Sequence, residues 1–175
     1  RGIAATLHTA DRALYLRQEP GIPAGDDVCK EVLASFPAAK SGARKTAELV
    51  FDHCSGKIVH AGPAVNPDGA DALKESCAGA AGQCRAMTAL CRTAKIPARL
   101  VTGFILRAEQ NAPPHHWVEA YVEGAWHPFD PAYRYAWRLP AVYLPVSRGT
   151  DAVVIPRGEI TVGSRPGEGE VVFFV

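Results

Sequence analysis

Three cysteines, Cys77, Cys84 and Cys91, stand seven residues apart in "KESCAGAAGQCRAMTALCRTAKIPAR", Lys74 to Arg99. Such residues can be nucleophiles, metal ligands or small buried hydrophobes. Metal binding fits poorly. No C-x-x-C pair is present, and a helix sets Cys84 and Cys91 two turns apart. A second stretch, "HHWVEAYVEGAWHPFDP", carries His115 and Asp130. Glu123-Gly124 reads as a two-residue hairpin turn, which sets Val122 against Ala125, Tyr121 against Trp126 and Trp117 against Asp130. Side chains alternate along a strand, so His115, Trp117 and Asp130 share one face and His116 points to the other. His115 and Asp130 are then diagonal cross-strand neighbours within reach of each other. An Asp accepting from an imidazole N–H fixes its tautomer and stabilises the imidazolium, as a general base requires. Taken alone, such a pair is more often a polar surface contact than a catalytic one. His8, His53, His60 and His127 have no comparable partner and read as ordinary polar residues.

These residues need elements to position them. Asp26 or Asp27 caps a helix with Val28, Val32, Leu33 and Phe36 on one face. "GARKTAELVFDHC" repeats the pattern with Ala47, Val50, Phe51 and Cys54. Residues 1–20 read as an extended lead-in, "KIVHAGPA" as short and extended, and "NPDGADALKES" as a loop with a brief helical turn. Residues 80–95 are the strongest helix candidate, with Cys84, Met87, Thr88 and Cys91 on one face and Pro97 ending it. Cys77 falls in a loop before that helix and is the most exposed of the three. "ARLVTGFIL", "HHWVEAYV", "EGAWHPFDP", "AVYLPV", "AVVIP", "EITVG" and "VVFFV" read as strands. Helices followed by antiparallel strands predict an α+β fold. One domain is expected over residues 1–175, with a core at about 26–135 and additional strands over 136–175.

Composition bounds the possibilities. The 175 residues are 47% hydrophobic and 21% charged, the balance of a folded globular chain. A net charge of +1 argues against a nucleic-acid surface. No apolar run approaches the roughly 20 residues of a membrane helix. Five cysteines are too few for a disulfide scaffold, and their odd number leaves at least one free thiol. With no initiating Met or signal peptide, Arg1 reads as the start of a processed product, secreted or periplasmic, or of a domain cut from a longer chain.

Several linked motifs resemble the transglutaminase-like superfamily, which has a papain-like cysteine-protease core. "ALCRTAKIPARLVTGF" resembles the family's helix end and following strand, "HHWVEAY" its H-x-W-x-E-x-Y, and "WHPFDP" its W-x-x-x-D-P. The resemblance runs over roughly residues 26–135, with weaker echoes in "YLRQEPGIP". It implies a nucleophile helix packed on an antiparallel sheet. It also implies a Cys thiolate at that helix's N-terminus, with His115 as base and Asp130 as its orienter. The helix dipole and an adjacent imidazolium favour the thiolate, which attacks an amide or acyl carbonyl to form a thioester. The implied partner is a peptide, protein or amide-containing substrate, and no cofactor or metal is implied. By analogy, the short chain points to hydrolysis rather than cross-linking.

Counting back from Arg92 and Ile96-Pro97-Ala98-Arg99 without gaps, the family's cysteine falls on Ala80. Leu73, seven residues upstream, gives the same register. Taking "GQC" literally would instead make Cys84 the nucleophile, at the expense of a four-residue deletion and a compensating insertion. Ala80 reads as an engineered replacement that inactivates the protein, because the His, Trp, Asp and Pro of the motifs remain. The alternatives are a natural pseudoenzyme that binds peptide in the old cleft, and an active enzyme using Cys84. Trp117 and Trp126 either line a substrate cleft or pack under the hairpin, and the strands from Leu139 onward carry no recognisable chemistry.

Overall fold

The computed structural model describes residues 3–4, 7–36, 42–62, 65–106 and 113–149. The strands expected in "AVVIP", "EITVG" and "VVFFV" lie outside the described residues. The elements run β1 (Ile3–Ala4), α1 (Thr9–Leu14), α2 (Asp27–Ala34), α3 (Ala43–Gly56), β2 (Val59–His60), α4 (Gly69–Glu75) and β3 (Cys77–Ala78). There follow α5 (Ala80–Thr93), β4 (Ala98–Ile105), β5 (His115–Val122), β6 (Ala125–Asp130), β7 (Tyr135–Ala136) and β8 (Tyr143–Arg148). The main sheet is antiparallel in the order β1-β6-β5-β4-β8, with β7 also paired to β6. The fold is the expected α+β arrangement.

Helix α5 is the centre of the molecule. It packs against α2, α3 and α4 on one side and against β4 and β5 on the other. Its run from Gly82 to Arg92 is buried except at Arg85, as befits a helix enclosed on nearly all sides. Arg92, with a fully buried side chain, donates to the carbonyls of Arg17 (2.7 Å) and Ala98 (2.9 Å) and pairs with Glu19 at 2.7 Å. A buried charge without such partners would be strongly unfavourable.

The hairpin forms as its sequence predicts. Glu123 and Gly124 both take positive φ, 51° and 82°, as a type I′ turn needs. The register pairs Val122 with Ala125, Tyr121 with Trp126 and Val118 with Phe129. Val118, Ala120, Val122 and Phe129 join the core shared with α5. On the opposite face the Arg99 guanidinium lies 4.0 Å from the Trp126 ring centre and pairs with Glu119 at 2.6 Å.

Three local expectations are corrected. The lead-in is not wholly extended. It contains α1, six residues too short for an apolar periodicity to show. "NPDGADALKES" holds a full helix, α4, because the Asp68 carboxylate caps it by accepting from the Ala70 N–H at 2.7 Å. Cys77 lies in β3, paired parallel to β2, rather than in a loop. The apolar face expected on α2 does pack on the core: Val28, Val32, Leu33 and, just past α2, Phe36 are partly buried against it, beside the fully buried Cys29. Among the described residues no helix is long and apolar enough to cross a membrane.

Candidate active site

His115 opens β5 and Asp130 closes β6, and the hairpin brings them together. His115 Nε2 lies 2.6 Å from Asp130 Oδ2, with the Asp130 side chain fully buried and that of His115 11% exposed. The Tyr133 backbone N–H donates to Asp130 Oδ1 at 3.1 Å, and the Tyr143 hydroxyl donates to Oδ2 at 2.7 Å. Surrounding donors of this kind suit a carboxylate, which only accepts. The His115 proton then sits on Nε2, leaving the Nδ1 lone pair as the ring's basic site.

Ala80 is the first residue of α5, after Gly79 as N-cap. The neighbourhood is pinned from below. The Gly79 N–H donates to the Val65 carbonyl at 2.8 Å, and the Asn66 side-chain amide donates to the Cys77 carbonyl at 2.8 Å. A Cβ at Gly82 would come within 2.0 Å of the Asn66 carbonyl oxygen, so only glycine lets the first turn sit this close. The first backbone bond closing this turn runs from Gln83 N–H to Gly79 carbonyl. The amides of residues 80–82 have no partner inside the helix and point out of its positive end. Helix α5 packs on β5, the strand that carries His115.

Cys84 lies one turn inside the helix and is fully buried. Its thiol donates to the His116 carbonyl at 3.2 Å. Burial first, then the Asp130 charge, push it well above the usual thiol range. It is therefore held as a protonated thiol on the core side, poorly suited to attack. Burial pushes Cys91 up to about 12 and Cys29 up to about 11. All five cysteines are free, and only Cys77 is partly exposed. Among the described residues no three His, Cys, Asp or Glu side chains gather to hold a metal.

His116 does point away from the pair. Its Nδ1 meets the Thr102 hydroxyl at 3.0 Å. Burial, helped by the Arg85 charge, lowers it to about 4, so it is neutral at neutral pH. Trp117 and Trp126 pack as part of the buried sheet and also border a groove. They line a groove of about 270 Å³ with Tyr143 and Pro145, yet are only 2% and 4% exposed.

Sequence reasoning missed Tyr143 and Tyr133. The Tyr133 ring centre lies 4.9 Å from that of His115, and Tyr143 lies 6.0 Å from it. "FDPAY" puts Tyr133 three residues after the Asp, the spacing at which a capping carboxylate accepts a backbone N–H, and that signal was available. Nothing comparable marks Tyr143.

A family model described as the transglutaminase-like superfamily matches residues 27–131. No curated protein sequence matches the chain. Two solved structures share the fold. One is a candidate cysteine protease from Cytophaga hutchinsonii, at 19% identity and TM-score 0.62, covering 81% of this chain and 48% of that one. The other is the periplasmic domain of TgpA from Pseudomonas aeruginosa, at 20% identity and TM-score 0.55, covering 73% of this chain and 49% of that one. This chain thus spans about half the length of both. Since the family model covers more than half of the 175 residues, the chain belongs to the transglutaminase-like superfamily.

Proposed function

We propose that this chain carries the site of a cysteine acyl hydrolase or acyl transferase acting on amide or peptide bonds, with position 80 as the nucleophile's place. His115 is the base and Asp130 its orienter. With Ala80 there, the chain as it stands lacks the attacking sulfur. The observation that carries this reading is the short His115–Asp130 bond on a buried carboxylate. The start of α5 at Ala80 supports it.

The chemistry follows from these parts once a thiol stands at position 80. His115 Nδ1 takes the thiol proton, and the Asp130 charge stabilises the resulting imidazolium. The thiolate attacks the carbonyl carbon, and the developing oxyanion is met by the outward-pointing N–H of residue 80. His115 returns the proton to the departing amine, leaving a thioester. Water then releases the acid, or a second amine takes the acyl group. The persistence of His115, Trp117, Asp130 and Pro131 favours an engineered replacement at position 80, since an abandoned site is free to lose them.

The test is Ala80→Cys. The expected result is one new thiol that alkylates rapidly at neutral pH and takes up an acyl group from p-nitrophenyl acetate, seen by mass spectrometry. A variant with no reactive thiol beyond those of the present chain would falsify this reading. Ala80 itself favours a second one, a natural pseudoenzyme that holds peptide. That reading expects peptide binding by calorimetry with no turnover gained in Ala80→Cys.

A further inference from the structure

The hydroxyl of Tyr143 and the imidazole of His115 meet the same oxygen of Asp130, at 2.7 and 2.6 Å. Tyr143 comes from β8, beyond the residues 27–131 that match the family. We propose that Tyr143 is a positioning residue that holds the Asp130 carboxylate in register for His115. The inference rests on the proposed role of the His115–Asp130 pair.

The geometry supports it at three points. The first is the state of Asp130. Its side chain is fully buried, and burial alone disfavours a carboxylate unless donors meet it. Tyr133 N–H fixes Oδ1 from the backbone, and Tyr143 fixes Oδ2 from a side chain. Asp130 therefore keeps anchors on both oxygens while the His115 bond changes with the imidazole's charge.

The second point is that Tyr143 is itself held. Its ring packs edge-on against Trp117 at 5.4 Å and against Tyr135 at 6.2 Å between centres. Strand β8 is bonded to β4, where Phe104 pairs with Leu144 and Ile105 with Tyr143. A donor placed this rigidly orients its acceptor, whereas a mobile one would only solvate it.

The third point is that the donor cannot be lost to ionisation. Burial and then the Asp130 contact push the Tyr143 phenol far above its usual range. The groups facing Asp130 are His115 from β5, Tyr143 from β8 and Tyr133 after β6. Cys84 approaches from α5 and feels the Asp130 charge, while Arg85 acts on His116.

Tyr143→Phe keeps the ring and removes only the donor. Two readouts are taken with Tyr135→Phe as the control, since that ring packs on Tyr143. The first is nitrogen-15 and proton NMR of the His115 ring in the present chain, which requires no catalysis. The hydrogen-bonded Nε2–H resonance is expected to shift and to exchange faster with water in Tyr143→Phe but not in Tyr135→Phe. The second adds Tyr143→Phe to Ala80→Cys and follows acylation by p-nitrophenyl acetate. The rate is expected to fall about tenfold, the effect of one bond to a charged group, with the saturation constant little changed. Unchanged ring resonances and acylation, or the same change in Tyr135→Phe, overturn the inference. If Ala80→Cys is inert while Tyr143→Phe still moves the His115 resonance, the acyl-transfer reading fails and the positioning of the pair stands.

Discussion

His115 and His116 are adjacent in the chain and opposite in fate. On one face of β5, His115 meets a buried carboxylate supported by two further donors. On the other, His116 meets the Thr102 hydroxyl and is kept neutral by burial and the Arg85 charge. The same side chain thus meets a buried carboxylate in one place and is an uncharged packing group in the other. The pleat alone separates them, so a one-residue slip of the hairpin would exchange their roles.

The largest expected effect breaks this comparison outright. In the Ala80→Cys background, His115→Ala should reduce acyl transfer by about a thousandfold, the scale of a lost general base. His116→Asn, which can still face Thr102, should leave the rate within about threefold. Equal losses from both would end the distinction.

The next effect concerns stability in acid. His116 falls from an ordinary 6.5 to about 4 on folding. The unfolded chain therefore binds its proton first as pH drops. Stability should be lost between about pH 6.5 and pH 4 and level off below, by about 2–3 kcal/mol. Urea unfolding at pH 7 and pH 4 measures this, and His116→Asn should remove most of the difference. A smaller remainder is expected from His53, which burial lowers in the same direction.

The smallest effect sharpens the register itself. Glu123 holds a φ of 51° in the turn, a conformation that asparagine tolerates better. Glu123→Asn should stabilise the chain by about 0.5 kcal/mol in thermal unfolding. The lost exposed contact between Arg44 and Glu123 offsets little.

These features differ in how far the sequence discloses them. The hairpin was legible because a two-residue turn fixes every pairing that follows it, which carried His115 to Asp130 without any coordinates. Helix α5 was legible because Pro97 ends it and its apolar spacing is regular. Tyr143 was not, because a bond from a separate strand leaves no local pattern. The Glu19–Arg92 pair spans 73 residues and was hidden for the same reason. Helix α4 was underestimated because its stability comes from the Asp68 cap and from packing on α5, not from length. The burial of Cys84, by contrast, was legible from the helix face it shares with Met87 and Cys91.

The guanidinium of Arg92 has a practical consequence for anyone who trims this chain. A fragment cut to the family match, 27–131, would discard Glu19 and the Arg17 carbonyl. It would strip that cation of the acidic partner it has among the described residues. Sequence kinship marks which residues share an ancestry. The electrostatic closure of α5 reaches further along the polypeptide, and expression boundaries are better drawn around it.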